Sequence, residues 1–308
     1  MPDWSNSAPV VDVPCPLGCT NGVRRRIVDT VWEAQEAAVY RCSSCEIVFI
    51  HPIMSEEDER SFYESDFAGY MKDRGAPGET LPSEHFDQNW AEAERRAANL
   101  LPFLSPDQHV LEIGSATGGL LTAVQPHVAS VLGIEPGNQY REYAAGRGID
   151  MVAALEDVAG RTFDVVLAYY VVEHLRDPLG QLARLRDLLA PGGLLAIEVP
   201  NVDDALVRLY EVAAFDRFYW QRAHYFNYSH RTLADVLERA GFESVETIPE
   251  QRYDISNHLH WLARGEPGGK GKYVHIFDER TNREYQRSLK EHWLCDTVFA
   301  VARKAEAA

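Results

Sequence analysis

The chain has 308 residues, of which 45% are hydrophobic and 25% are charged, as is usual for a soluble globular protein. Its net charge is −17, from 30 Lys and Arg against 47 Asp and Glu, and such a surface disfavours bulk nucleic-acid binding because it repels phosphate backbones. No apolar run approaches the ~20 residues of a membrane span, and the N-terminus lacks the features of a signal peptide, so we expect a cytoplasmic protein.

Two pairs of cysteines follow a short N-terminal tail. They hold four of the five cysteines of the chain: Cys15 and Cys19, then Cys42 and Cys45. Residues 23–40, between the pairs, can supply the strands of a small ribbon. Two chelating turns of this kind offer the four soft ligands of a tetrahedral zinc site, so we predict a zinc-ribbon module over residues 1–54. The alternative is a set of four reduced structural cysteines.

The next segment, residues 55–105, is predicted to be mainly helical. Ser55 precedes three acidic residues, which is the pattern of a helix N-terminus with a hydroxyl cap. A second helix is predicted over residues 85–104 from the spacing of its apolar side chains. Residues 75–78 contain two glycines and a proline, and they indicate a loop between the two helices.

The chain is organised around a strand, a glycine-rich turn and a helix at residues 109–124. Residues 109–113 read as a short buried strand, and the small residues 114–119 form a turn that aims backbone N–H groups at a ligand. Glu112 stands two residues before that turn, where a cofactor with a cationic centre suits it better than a pyrophosphate. A second strand, residues 131–135, ends in Glu135, which is the place for a carboxylate that binds two ribose hydroxyls.

Further strands of a parallel sheet are predicted downstream. Residues 163–170 form a continuous apolar run, as expected of a central strand covered on both faces, and residues 194–199 form the next strand. The last strand, residues 296–303, is predicted to be antiparallel and to lie at the sheet edge. The insertion at residues 251–292 is too long for a hairpin loop, and its Gly-Lys-rich run suits either a substrate-side element or a solvated flexible loop.

Four ordered patterns resemble class I S-adenosylmethionine (SAM) methyltransferases. They are Glu112-x-Gly114-x-Ala116-x-Gly118, the Gly-Ile-Glu135 that follows it, the run from Phe163 to Pro178, and Leu188 to Leu195. The resemblance covers roughly residues 100–247 and the last strand. It implies an α/β, Rossmann-like domain with a seven-stranded sheet over residues 106–308, with residues 55–105 as a helical lid. The alternative is a doubly wound domain that binds an unrelated ligand.

The resemblance also implies which residues contact SAM. These are Tyr70, Glu112, Gly114, Ala116, Gly118, Glu135, Glu156, Asp157 and Tyr169. In this family the helices before the first strand cover the cofactor, which places Tyr63 and Tyr70 near SAM or the substrate; the alternative is aromatic packing of the zinc module onto the core. Glu156 or Asp157 stands near the adenine, and the alternative for each is an acidic residue in the first turn of a helix.

The catalytic candidates are expected beyond the carboxyl ends of the strands, where ligands of open parallel sheets bind. Methyl transfer requires alignment of the nucleophile and, for an oxygen or carbon acceptor, removal of its proton. Tyr170 and His174 follow the fourth strand, and His224 lies beyond the fifth. Because histidine suits a base at neutral pH, we predict that His224 is nearest the accepting atom. A structural role for His174 and a packing role for His224 are the alternatives.

The segment around His224 resembles that of sugar C-methyltransferases, whose subfamily also carries an N-terminal zinc-binding segment. Ala223 replaces the glutamate of that subfamily, which favours O- or N-methylation. The predicted function is SAM-dependent methyl transfer to a small acceptor such as a nucleotide sugar or glycoside, with no nucleic-acid or membrane partner and with the oligomeric state left open. The alternatives are an RNA-base methyltransferase with a zinc knuckle, and a non-catalytic SAM-binding scaffold.

Overall fold

The computed structural model describes residues 9–10, 12–63, 69–70 and 81–306, so the loop expected at residues 75–78 lies outside the described residues. The strands are β1 (Pro9–Val10), β2 (Arg24–Val28), β3 (Ala38–Cys42), β4 (Val48–His51), β5 (His109–Ile113), β6 (Ser130–Ile134), β7 (Met151–Val152), β8 (Phe163–Tyr169), β9 (Leu189–Pro200), β10 (Phe226–Asn227), β11 (Glu243–Glu250) and β12 (Thr297–Arg303). The α-helices are α1 (Glu56–Ser61), α2 (Pro82–Leu100), α3 (Gly119–Val124), α4 (Asn138–Ala145), α5 (Pro178–Asp187), α6 (Ala205–Arg208), α7 (Ala213–Tyr219), α8 (His230–Arg239), α9 (Ile255–Arg264) and α10 (Glu279–Glu291).

Seven strands form one mixed sheet in the order β11-β12-β9-β8-β5-β6-β7. The strands from β9 to β7 are parallel, whereas β12 runs antiparallel to both of its neighbours. The predicted α/β fold with a seven-stranded sheet is therefore confirmed. The carboxyl ends of β5, β6, β8 and β9 meet at one edge of this sheet, which is where open parallel sheets bind their ligands.

The centre of the large sheet is buried on both faces because β8 is apolar throughout. Val166 and Ala168 belong to the apolar cluster on one face, while Val165 and Leu167 belong to the cluster on the other, as the two-residue period of a strand requires. All four side chains are fully buried. Each large apolar side chain buried in this way stabilises the fold by about 1.5–3 kcal/mol relative to exposure, which fixes the register of the central strand.

The last strand does not lie at the sheet edge, so this expectation was wrong. β12 pairs with β9 on one side and β11 on the other, and β11 is the edge strand. The sequence of β12 agrees with this interior position, because every residue from Thr297 to Ala302 is buried. The last strand of a chain can pair on one side with the strand just before it and on the other side with a strand from much earlier in the chain. Strand order is therefore a non-local property, which the local sequence pattern does not report.

The insertion at residues 251–292 is largely helical. It contains α9 and α10, and each is preceded by an N-cap aspartate whose side chain accepts a hydrogen bond from a backbone N–H of the first turn. Asp254 accepts from Asn257, and Asp278 accepts from Thr281. Such N-caps stabilise a helix by about 1 kcal/mol. The Gly-Lys-rich run at 265–272 is a mostly exposed loop between the helices, as its composition predicts.

The helix that precedes the large sheet is α2. It begins at Pro82, three residues before its predicted start, and ends at Leu100, because Pro102 follows in a short 3₁₀ turn. Its buried residues, Phe86, Ala93, Ala97 and Leu100, form one apolar face against the sheet. Among the described residues, the helices are all too short or too polar to cross a bilayer.

The four N-terminal cysteines belong to a second, five-stranded antiparallel sheet. Its strand order is β1-β2-β3-β4-β10, so four N-terminal strands are completed by a strand from residues 226–227. Phe226 of β10 lies opposite Phe49 of β4, and Asn227 lies opposite Val48. The N-terminal module is thus joined by backbone hydrogen bonds to the segment that follows α7, and it is not a separate domain on a linker.

Candidate functional site

The turn after β5 has the left-handed backbone that a ligand cradle requires. Gly114, Ala116 and Gly118 have φ values of 72°, 44° and 76°. A Cβ on Gly118 would lie 2.8 Å from the Cε of Met151, so only glycine fits there without a shift of its neighbour. Gly118 then caps α3, whose first turn presents unpaired N–H groups to the same side.

The acid at the end of the second strand of the large sheet holds this turn in place. The carboxylate of Glu135 accepts hydrogen bonds from the backbone N–H groups of Ala116 at 2.9 Å and of Gly137 at 2.7 Å. Burial raises the pKa of Glu135, and these two hydrogen bonds oppose that change. A carboxylate has about four lone-pair sites, so two remain for ribose hydroxyls at the position where the resemblance predicts them.

Glu112 is a buried acid with unused hydrogen-bonding capacity. Its side chain is 4% exposed, and its Oε2 has no hydrogen-bond partner among the described residues. Burial raises the pKa of Glu112 to about 8, partly offset by the charge of Arg96. A buried carboxylate without a partner is costly, so Glu112 is suited to a cationic ligand group, and its contact with the ammonium of SAM stays a prediction.

The two tyrosines at the end of β8 lie beside arginines of the preceding helix and of the insertion. The guanidinium of Arg96 lies 5.0 Å from the ring centre of Tyr169 and 5.2 Å from that of Tyr170. The Tyr170 hydroxyl donates to Glu198 at 3.4 Å, and the Arg252 guanidinium lies 5.0 Å from its ring. Burial raises the pKa of both hydroxyls, so both stay protonated at neutral pH.

The two acids proposed near the adenine both have structural partners. Asp157 accepts hydrogen bonds from the backbone N–H groups of Ala153 and Ala154 at 3.1 and 3.0 Å, as a helix-start acid does. Glu156 is exposed and pairs with Arg184 at 3.0 Å. Neither contact is with the glycine-rich turn at residues 114–118. A contact of either acid with the adenine therefore stays a prediction.

The acceptor-side candidates form a group of three neighbouring side chains. One donor atom from each of Glu173, His174 and His224 lies within 4.8 Å of the others, and the two imidazole rings meet edge to face at 4.8 Å between centroids. Glu173 is fully buried, and both of its carboxylate oxygens lack a hydrogen-bond partner in the described part of the chain. Burial raises the pKa of Glu173 to about 8 and lowers that of His174 to about 4. Glu173 is therefore largely protonated and His174 neutral at pH 7, and a catalytic role for either histidine stays a prediction.

The lid tyrosines reach this group from the other side. Tyr70 is buried, its ring lies 4.6 Å from that of Trp32, and its hydroxyl donates to Gln221 at 2.7 Å. Tyr63 is exposed, and its hydroxyl lies 3.3 Å from Nδ1 of His174. Tyr63 thus contacts His174 and Tyr70 contacts Gln221, and the alternative, packing of Tyr70 against the N-terminal module, is also present.

The four N-terminal cysteines converge as their spacing predicts. One sulfur from each of Cys15, Cys19, Cys42 and Cys45 lies within 4.8 Å of the others, and the sulfurs of Cys15 and Cys45 are 3.7 Å apart. Tetrahedral zinc with bonds of about 2.3 Å places its sulfur ligands about 3.8 Å apart. All five cysteines are free thiols, and Cys295 lies elsewhere, buried beside Asn201. The donor set fits one zinc ion.

The comparisons with known proteins agree with this geometry. A family model described as a methyltransferase domain matches residues 85–247, more than half of the 308 residues. The chain belongs to this methyltransferase family. The match includes the turn, both acids and the pair of histidines, so the enzyme class is SAM-dependent methyltransferase.

Similar proteins include two enzymes whose names specify a tRNA position. A tRNA U34 carboxymethyltransferase of Vibrio atlanticus (strain LGP32) is 29% identical over 191 residues, 56% of this chain and 56% of that protein. Its counterpart in Glaesserella parasuis serovar 5 (strain SH0165) is 28% identical over 184 residues, 54% and 55% of the two chains. The methyltransferase thus spans a little over half the length of the curated relatives it matches.

A solved structure reproduces the fold. A SAM-dependent methyltransferase from Archaeoglobus fulgidus superposes with a TM-score of 0.50 at 18% identity, covering 78% of this chain and all of that one. This likeness concerns the α/β fold alone.

Three residues of the site were missed from the sequence. Arg95 of α2 pairs with the buried acid Glu198, and the charge of Arg96 lowers the pKa of Glu112. Gln221 bridges Tyr70 and His224. The Arg-Arg pair on a helix predicted to cover the site was a usable signal, because a buried arginine needs an acidic partner. Nothing local distinguishes Gln221 from a surface glutamine.

Proposed function

We propose that this methyltransferase moves the methyl group of SAM to an acceptor held between the glycine turn and the His174–His224 pair. The observation that carries the proposal is the buried Glu112 carboxylate beside a left-handed glycine turn, at the same sheet edge as that pair. Glu112 would pair with the ammonium, the N–H groups of the turn would face the cofactor, and Glu135 would bind the ribose hydroxyls. When bound, SAM supplies an electrophilic methyl carbon on a sulfonium.

The residues at the carboxyl edge would align the acceptor and exclude water. Glu173 and the two histidines lie together beyond β8. The Tyr63 hydroxyl contacts His174, and the Tyr70 hydroxyl donates to Gln221 beside His224. Alignment of two reactants in one site lowers the barrier mainly through orientation. Removal of the acceptor proton is the remaining task, and the imidazoles of His174 and His224 are the groups placed for it.

For the acceptor we propose an RNA base, because the relatives at 28–29% identity are named for a tRNA uridine. The arginines of the N-terminal sheet are the candidate contacts for RNA phosphates, despite the net charge of −17. β2 carries Arg24, Arg25 and Arg26, and Arg25 lies directly opposite Arg41 of β3. Arg26 pairs with Asp29 and Arg41 with Glu46, so phosphates would compete with these acids. Arginines on a sheet can contact RNA phosphates while the target base enters the site.

The second candidate is the small sugar-containing acceptor expected from the sequence. The net charge of −17 favours it, since a strongly acidic protein repels polynucleotides. No similar protein reported above is named for a sugar or nucleotide-sugar acceptor, which makes this the weaker candidate.

The test is a transfer assay with methyl-labelled SAM. Total tRNA from cells that lack this methyltransferase and a panel of glycosides and nucleotide sugars are offered in parallel, with a Glu135→Gln variant as the control for cofactor-dependent transfer. The proposal predicts label in tRNA, at a level that falls in the variant. Label in a small acceptor would support the second candidate, and label in neither with SAM bound would support a non-catalytic scaffold.

A further inference from the structure

The segment that carries His224 is held at both ends by the N-terminal sheet. The backbone N–H of Trp32 donates to Trp220 at 2.8 Å, and the N–H of Ile50 donates to Tyr225 at 2.9 Å. Beyond Tyr225, β10 pairs with β4. Residues 221–224 therefore form a short, anchored loop, and the side chains of Gln221 and His224 are held in fixed relation to each other.

Gln221 connects this loop to the lid. Its side chain is buried, its Oε1 accepts the Tyr70 hydroxyl at 2.7 Å, and its Nε2 lies 3.1 Å from Nδ1 of His224. Because the hydroxyl uses the amide oxygen, the amide N–H₂ faces the imidazole and donates to it. Nδ1 of His224 then accepts a hydrogen bond, and the proton of the neutral ring is on Nε2.

His174 has the opposite arrangement. Its Nδ1 lies 2.8 Å from the carbonyl oxygen of Ala223, and a carbonyl can only accept, so the proton of the neutral ring is on Nδ1. The lone pair is then on Nε2, which lies 4.0 Å from the carboxylate of Glu173. Because 4.0 Å is too short for another atom between them, an acceptor O–H or N–H that bonds to Nε2 would approach from beside the carboxylate.

We propose that the two histidines have different roles, which are set by Ala223 and Gln221. His174 accepts the proton of the acceptor through Nε2, whereas the lone pair of His224 is engaged on Nδ1 by Gln221. His224 is therefore not the base, and it holds the ring of His174 by packing edge to face against it. In this step the lone pair of the acceptor forms the bond to the methyl carbon. The electron pair of the broken carbon–sulfur bond stays on sulfur, and the acceptor proton moves to His174. Gln221 acts through His224 and is a positioning residue.

This inference rests on the proposed function and reverses the sequence-based expectation that His224 is the base. The groups that face the pair agree with the assignment. Glu173 lies on the Nε2 side of His174, and Tyr63 lies on its Nδ1 side at 3.3 Å. Arg222 points away from the pair, with its guanidinium 3.0 and 3.2 Å from the sulfur of Met54.

The test is an NMR measurement that needs neither SAM nor an acceptor. In the full chain labelled with ¹⁵N-histidine, the tautomer of each ring is read from its two nitrogen shifts at pH 7. His174→Asn and His224→Asn identify the two sets of signals by their loss. We expect His174 with its proton on Nδ1 and His224 with its proton on Nε2. Finding either ring in the other tautomer would overturn the proposal.

A Gln221→Glu variant tests the positioning role, because it replaces the donor on Nδ1 of His224 by an acceptor. We expect the proton of His224 to move to Nδ1, while His174 is unchanged. Gln251→Glu is the matched control, since Gln251 is equally buried and binds the backbone of Asp296 and Tyr253. An unchanged His224 tautomer in Gln221→Glu would overturn the role of Gln221.

A second variant keeps the test decisive if Gln221→Glu does not fold. Tyr70→Phe removes the hydroxyl that orients the amide, so we expect two tautomers of His224 where the wild type has one. A single, unchanged tautomer of His224 in Tyr70→Phe would overturn the proposal that Tyr70 and Gln221 set this tautomer. Failure of the proposed function would appear instead as absence of label transfer, which these spectra do not depend on.

Discussion

Arg95 and Glu198 form an ion pair that ties α2 to the end of β9. One guanidinium nitrogen lies 2.7 and 2.8 Å from the two carboxylate oxygens. Glu198 is fully buried and also accepts the hydroxyl of Thr297 at 2.8 Å, whereas Arg95 is 21% exposed. The pair fixes the helix before the first parallel strand over the carboxyl edge of the sheet, where the cofactor site is proposed.

Arg95→Met should lower the free energy of unfolding by roughly 3 kcal/mol, because it leaves the buried Glu198 carboxylate without its cation. Urea unfolding at pH 7 measures this change. Arg287→Met is the matched control, since the pairs of Arg287 with Glu284 and Glu291 are exposed and screened by water, so little loss of stability is expected. An equal decrease in the free energy of unfolding of the two variants would show that the buried ion pair stabilises the fold no more than the exposed pairs do.

The contribution of Glu112 to the stability of the free protein should fall as the pH rises from about 5 to 8. Burial raises the pKa of Glu112 from 4.5 to about 8, so in this range the unfolded chain releases a proton that the folded chain keeps. Stability is then lost with a slope of at most ~1.4 kcal/mol per pH unit for this group. Glu112→Gln should remove that slope in urea unfolding at pH 5 and 8. A variant with the wild-type slope would show that Glu112 titrates normally.

The purified protein should contain about one zinc ion per chain, held by the four N-terminal cysteines. Cys42→Ser should lose the metal and destabilise the N-terminal sheet, because metal affinity is also folding energy at such a site. Cys295→Ser is the control, since Cys295 lies apart from the cluster. Elemental analysis with equal zinc in both variants, or none in the wild type, would contradict the ribbon.

The two histidines should differ in their effect on turnover, measured with the acceptor that takes the label. His174→Asn should lower kcat by roughly 10²–10⁴-fold, the usual loss of a general base. His224→Asn should lower kcat by about 10-fold, because it loosens the packing that orients the His174 ring. Because burial lowers the pKa of His174 to about 4, protonation of this ring should not reduce kcat, measured with saturating SAM, until the pH falls to about 5. A larger loss of kcat in His224→Asn than in His174→Asn would indicate that His224 is the base. His127→Asn is the control, because His127 is an exposed histidine whose replacement should leave kcat unchanged.

The parts of this protein that could be predicted from the sequence depend on local chemistry. The turn at residues 114–118 needs glycine at left-handed positions, and Glu135 ends an apolar strand, so both are visible within a few residues. The cysteine cluster was predicted for the same reason, since two close pairs specify four ligands.

The parts that could not be predicted depend on contacts between distant segments. The pairing of β10 with β4 joins residues about 177 positions apart, and the insertion of β12 between β9 and β11 is likewise non-local. Gln221 was missed because its role exists only once the lid and the N-terminal sheet meet beside it. The two helices of the insertion were not predicted, although their start could have been read from the local sequence, because Asp254 and Asp278 are ordinary N-cap residues.

The measurement that tests the central claim most directly is calorimetric titration of the zinc-loaded chain with SAM. The account predicts saturable binding of one SAM per chain, no binding of NAD, and affinity at least 10-fold weaker in Glu135→Gln, since hydrogen bonds to a charged group contribute about 1.5–3 kcal/mol each. Thermal unfolding of the same variant shows whether the turn is intact, because Glu135 also binds Ala116 and Gly137. Absence of SAM binding by the folded wild type, or equal affinity in a folded Glu135→Gln, would contradict it.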